Sequence, residues 1–151
     1  MDRYLYVSSD DSTEYFSDNQ AYKFKVHLHH PLTLRGFWKV GLVEFHAEAQ
    51  AKVRPSQKKD QALYIFTDLC KGCILWGSEQ PLLRRLESNS KSGWDFTFEN
   101  AIYLPVTKKE LVEFEVVIKT EDGTFPSFLK SPLHLTLHLK PYPFYSDYES
   151  V

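Results

Sequence analysis

At 151 residues, with 42% apolar and 15% aromatic side chains, the chain is long enough for one domain with its own core and too apolar for a disordered or coiled-coil reading. Its 18 basic and 20 acidic side chains nearly cancel, which excludes the broad basic field behind nonspecific nucleic-acid binding, and two cysteines exclude a disulfide framework. No apolar run approaches a membrane span, and the opening MDRYLYVSSDDS lacks the basic and apolar regions of a secretion signal, so the expectation is a protein kept in a reducing compartment, with no membrane association.

Period-two patterning and turn punctuation predict about eight strands and little helix. Tyr4 to Ser8 is the first, followed by a solvated loop, SSDDSTEYFSDNQ. In the second, Tyr22, Phe24, Val26 and Leu28 share one face while Lys23, Lys25, His27 and His29 share the other, the pattern of a half-buried strand. Phe37 to Phe45 is apolar on both faces, which predicts a strand covered by protein on both sides, including another subunit. After the basic connection KVRPSQKKDQ come strands at Ala62 to Asp68, Ile74 to Trp76 and Leu82 to Leu86, then Trp94 to Phe98 and Phe114 to Lys119. Thr107 to Leu111, TKKEL, has the spacing of a capping box and predicts one helical turn. Leu133 to Lys140 closes the series, with four leucines on one face and His134, Thr136, His138 and Lys140 on the other. Strands at this density without βαβ alternation argue for an all-β sandwich, and eight of them for a single jelly roll of antiparallel strands over residues 1–140, with an aromatic tail at 141–151.

The candidate chemistry is thin. Cys70-x-x-Cys73 is half of a zinc site, with no second pair at finger-like spacing, and a turn carrying two thiols is the simpler reading. His27 and His29 share a strand face as metal ligands of cupins do, but PLTLRG follows without the expected carboxylate. His134 and His138 lie about 13 Å apart along an extended strand, too far for joint ligation, and are expected to face water or a neighbouring subunit. Asp10, Asp11 and Glu14 read as a solvated loop. The basic run Lys52 to Lys59 has no interleaved aromatics for base stacking, so no direct nucleic-acid contact is expected. No nucleophile elbow, phosphate-binding glycine loop or zinc-protease helix is present, so neither catalysis nor a metal or other cofactor is expected. Phe37 and Phe45 in the two-sided strand, and Tyr142, Phe144 and Tyr145 in the tail, are the candidate subunit-interface residues; the tail either folds back over its own sandwich or docks on another subunit.

Four blocks in order carry a family resemblance: EYFSDNQAYKFKVHLHHPLTL; GFWKVGLVEF; LYIFTDLCKGCILWGSEQPLLRRL; and YLPVTKKELVEFEVVIKTEDGTFPSF with LHLTLHLK. Together they resemble the minor capsid, or penton, protein of Polinton/Maverick elements and adintoviruses. The cysteine pair, the SNSKSGW segment and the aromatic tail depart from that pattern. The resemblance implies a single jelly roll that forms homopentamers at icosahedral capsid vertices, surrounded by a double-jelly-roll major capsid protein, in a virion assembled in the host nucleus. A ligand- or glycan-binding jelly roll and a cupin-like metalloenzyme are the competing expectations.

Overall fold

The computed structural model describes residues 2–49, 62–88 and 94–142. Eleven strands follow in chain order: β1 (Arg3–Ser8), β2 (Lys23–Thr33), β3 (Trp38–Ala49), β4 (Ala62–Thr67), β5 (Cys73–Leu75), β6 (Ser78–Gln80), β7 (Leu82–Glu87), β8 (Trp94–Thr97), β9 (Tyr103–Pro105), β10 (Glu110–Thr120) and β11 (Leu129–Pro141). One sheet runs β1-β11-β3-β8, with β9 also paired to β3; a second runs β2-β10-β4-β7; β5 and β6 form a separate hairpin. Every pairing is antiparallel. The protein is therefore an all-β sandwich, and its long strands pass back and forth between the two sheets rather than completing one before starting the other.

The inner faces supply one core. Leu133, Leu135, Leu137 and Leu139 of β11 are all buried, as the alternation in LHLTLHLK predicts. They meet Phe24 and Val26 of β2, Leu63 and Ile65 of β4, and Leu111, Phe114, Val116 and Ile118 of β10. Burying a leucine or phenylalanine side chain contributes on the order of 1.5–3 kcal/mol, so this layer is the main stabilising element.

The two-sided apolar run of β3 has a different cause from the one its sequence suggested. Thr136 of β11 pairs with Glu44 whereas Leu137 pairs with Leu42, so Val43 is an extra residue on β3, a β-bulge. The bulge shifts the inward phase by one position. Val40 and Leu42 point into the core before it, Phe45 and Ala47 after it. The outer face then carries Lys39, Gly41, Glu44 and His46, so the run needs no second protein layer. Phe45, expected at a subunit interface, has 0% exposure and belongs to the core.

The strand buried on both faces is β4, all six of whose residues are buried. Leu63 and Ile65 face the main core, while Ala62, Tyr64 and Phe66 form a second cluster with Leu82, packed by Cys73 and Leu75 of the β5–β6 hairpin. The chain covers this face with its own hairpin. The link between β5 and β6 is the two-residue turn Trp76-Gly77, whose φ values of 52° and 82° are both positive, as a type I′ turn requires. A bulky residue is disfavoured there, and the contact of the Trp76 ring with Tyr64 at 5.3 Å and Phe66 at 6.2 Å offsets that strain.

The predicted helical turn at TKKEL does not form. Thr107 Oγ1 donates to the Asp68 carbonyl at 2.6 Å, Lys108 Nζ reaches the Asp68 carboxylate at 3.3 Å, and Glu110 already pairs with Thr33 as the start of β10. The threonine that would have capped a helix is held by the β4–β5 connection instead.

On the outer face of the first sheet, Gly41 makes room for the Tyr103 ring. A Cβ at position 41 would lie 2.9 Å from two Tyr103 ring carbons and 3.0 Å from the Ile102 carbonyl oxygen. Gly41→Val is expected to cost about 1–3 kcal/mol by overpacking, read as a lowered denaturant midpoint with an unchanged slope. Stability within error of the wild type would show that Tyr103 is not held against the sheet.

Candidate functional site

The sequence-selected groups fall at four separate places. His27 and His29 lie on the outer face of β2, their ring centroids 6.3 Å apart at nearly right angles. His27 Nδ1 sits 3.1 Å from a Glu113 carboxylate oxygen, and the Tyr15 ring lies 4.4 Å from His27 and 6.1 Å from His29. Ser12 Oγ accepts the His27 backbone N–H at 2.9 Å, so the 9–22 loop is fastened over the strand at this point. Asp11 serves the same loop, accepting the Ser8 N–H at 2.9 Å. Among the described residues no three His, Cys, Asp or Glu side chains cluster as a metal site would require.

The two cysteines have unlike surroundings. Cys70 is buried, with Sγ 3.6 Å from the Thr67 carbonyl oxygen that accepts from it. Burial, reinforced by Cys73, pushes its thiol pKa up to about 12. Cys73 is half-buried on β5. Because the thiolate is the reactive form, iodoacetamide at pH 8 is expected to label Cys73 in the native protein and to reach Cys70 only after unfolding. Equal native labelling of both in a mass spectrum would contradict this.

His138 was expected to face water or a neighbour; only 8% of it is exposed. Its Nε2 lies 2.9 Å from an Asp2 carboxylate oxygen and its Nδ1 2.7 Å from the Tyr103 hydroxyl. The carboxylate accepts from Nε2–H, so in the neutral ring Nδ1 accepts the Tyr103 O–H and every polar atom is satisfied. The Tyr4 ring stacks flat on the imidazole, 4.5 Å away and within 4° of parallel. Lys140 and Lys39 lie 4.1 Å and 5.9 Å from the Tyr103 ring centre. Burial, then Tyr4 and Asp2, raise the Tyr103 pKa. An acid, an imidazole and a phenol lie in line, with both imidazole nitrogens engaged and one ring face covered by Tyr4. The cluster pins the start of the chain and β9 onto the sheet. His134, by contrast, is exposed.

The exposed apolar side chains are the remaining candidates. Tyr4 and Tyr6 stand on the outer face of β1, 54% and 76% exposed. Over the outer face of the other sheet, Ile74 and Trp76 of the hairpin are 70% and 51% exposed. The β1 pattern marks a strand but not its outer surface; Gly77 marks an interruption after Ile74 to Trp76, but nothing local shows Trp76 to be a turn residue, because tryptophan is rare in turns.

Phe37 and Tyr142 border a groove of about 470 Å³ at the end of the sandwich where β11 finishes, together with Trp38, Pro105, Lys71 and Lys109. Tyr142 donates its N–H to the Phe37 carbonyl at 2.6 Å, and Lys39 Nζ lies 4.7 Å from its ring centre. The structure thus brings these two interface candidates together. Phe144 and Tyr145, like the basic run Lys52 to Lys59, lie outside the described residues.

Comparison of the chain with protein-family models, with curated proteins and with solved structures gives no match.

Proposed function

We propose that the protein is a structural subunit of a viral capsid, a penton protein that forms homopentamers at icosahedral vertices and is surrounded there by a double-jelly-roll major capsid protein. The observation that carries this reading is the pair of unlike apolar patches on opposite flanks: Tyr4 and Tyr6 outside one sheet, Ile74 and Trp76 outside the other. A closed ring is built from heterologous contacts, in which one surface of each subunit meets a different surface of the next. Patches on opposite sides of a sandwich meet that requirement, whereas a twofold dimer needs only one.

The strand order supports the same reading. We read sheets ordered β1-β11-β3-β8 and β2-β10-β4-β7 as a jelly roll, an antiparallel ribbon of eight strands wound around a barrel axis, with the β5–β6 hairpin inserted between β4 and β7. The capsid setting and the fivefold number rest on the four sequence blocks that resemble penton proteins. In this role the protein works by packing, its place is the virion, and its function requires no catalytic centre.

Light scattering on the purified chain tests the assembly. The expected species has five times the 17.7 kDa chain mass. A monomer at the highest attainable concentration, which also fails to enter particles when coexpressed with the major capsid protein of the same genome, would count against the proposal.

A further inference from the structure

We infer that the groove at the end of the sandwich is the dock, in cis, for the protein's own C-terminal segment, residues 143–151. The groove has an apolar wall of Phe37, Trp38, Pro105 and Tyr142 and a basic rim that includes Lys71 and Lys109. Lys108, also on the rim, is held by Asp68 at 3.3 Å, whereas neither Lys71 nor Lys109 forms an ion pair among the described residues. The rim therefore presents positive charge beside an apolar wall.

The segment leaving this groove has the opposite charge and matching apolar character. It reads PFYSDYESV, with Phe144, Tyr145 and Tyr148 for the wall, Asp147 and Glu149 for the lysines, and no basic residue. Its attachment favours the chain's own groove over a neighbour's. Tyr142, fixed by its bond to the Phe37 carbonyl, is itself part of the wall, and Pro143 cannot extend the β11 ladder. Asp147, five residues beyond Tyr142, can reach about 17 Å, more than the width of a groove of this volume. A tether this short holds the segment at an effective concentration on the order of millimolar, above ordinary working concentrations of a second copy. The aromatic contacts supply most of the attraction, since exposed ion pairs contribute about 0–1 kcal/mol each, while the charges select orientation and make closure weaken with salt.

Cross-linking in the full chain tests this without depending on the ring. Pro105→Cys on the wall and Ser146→Cys in the segment are combined with Cys73→Ser and Cys70→Ala, so that no native thiol competes in the folded or the unfolded chain. Under mild oxidation the expected product is an intramolecular disulfide, formed at least about tenfold faster than in the urea-unfolded chain and at a rate independent of concentration. Adding Lys71→Glu and Lys109→Glu should slow it several-fold at low salt and much less at high salt. A rate no greater than in the unfolded chain would overturn the assignment. So would a disulfide joining two chains at any concentration, since a second copy's segment would then occupy the groove. Retained circular dichroism of each variant shows that the fold is intact in either case.

Discussion

Phe45→Asp is expected to leave no folded protein. The side chain has 0% exposure and sits opposite Leu135 at the centre of the first sheet, so truncating it alone would cost about 3–5 kcal/mol. The aspartate adds a charge with no partner in an apolar layer, and the sum reaches the 5–15 kcal/mol or so that stabilises a domain of this kind. Phe37→Asp, only eight positions earlier, is the contrast. Phe37 is 59% exposed at the rim of the end groove, where a surface substitution changes stability by about 0.5 kcal/mol in either direction. Circular dichroism and thermal unfolding of the two variants read the difference directly. A cooperatively folded Phe45→Asp protein would mean that this side chain is not in the core.

These two residues also show how far the sequence could be read. Strict alternation made the inner faces of β2 and β11 legible, because the apolar side chains of a half-buried strand mark its buried face; it did not show that Thr136 and His138 on the other face of β11 are covered as well. GFWKVGLVEF was legible as a strand but not as to its faces. An extra residue at Val43 reverses the phase within one strand, and the resulting apolar run imitates two-sided burial. In ALYIFT the burial on both faces is real, yet what covers the outer face is a hairpin held by a tryptophan at a turn position, a contact between side chains distant from any local pattern. The short strands β6 and β9 offered too few residues for a period to be recognised. The helical turn at TKKEL failed because Asp68, about forty residues earlier, takes the capping threonine. The His138 cluster was invisible for a related reason: Asp2, Tyr4, Tyr103 and His138 come from three segments that only the sheet brings together. Of the interface candidates, Phe37 and Tyr142 share one groove, Phe45 is internal, and Phe144 and Tyr145 lie outside the described residues; Tyr6 and Ile74, which no motif marks, are the most exposed large apolar side chains among the described residues.

In the proposed ring, breaking either flank should dissociate the assembly and leave the subunit folded. Tyr6 and Ile74 are 76% and 70% exposed, so Tyr6→Asp or Ile74→Asp removes little packing within the subunit. In an assembled interface the same aspartate would be desolvated against an apolar neighbour, and central aromatic or aliphatic anchors typically contribute 2 kcal/mol or more, roughly a thirtyfold loss of affinity at every contact of the ring. Each variant alone is expected to be monomeric by light scattering, with unchanged unfolding behaviour. An equimolar mixture is more informative. The intact hairpin patch of the Tyr6→Asp protein can meet the intact β1 patch of the Ile74→Asp protein, but the chain of contacts then ends, so the mixture should give a species of twice the 17.7 kDa chain mass and no larger ring. Two monomers in the mixture would mean that these flanks do not face one another.

The most direct measurement of the central claim is the rotational symmetry of the purified assembly seen by electron microscopy. Class averages viewed down the ring axis are expected to show five copies, each turning one sheet toward its neighbour's hairpin-covered face. A twofold dimer, a ring of another order, or a population of single subunits would contradict the assignment of the protein to a fivefold vertex.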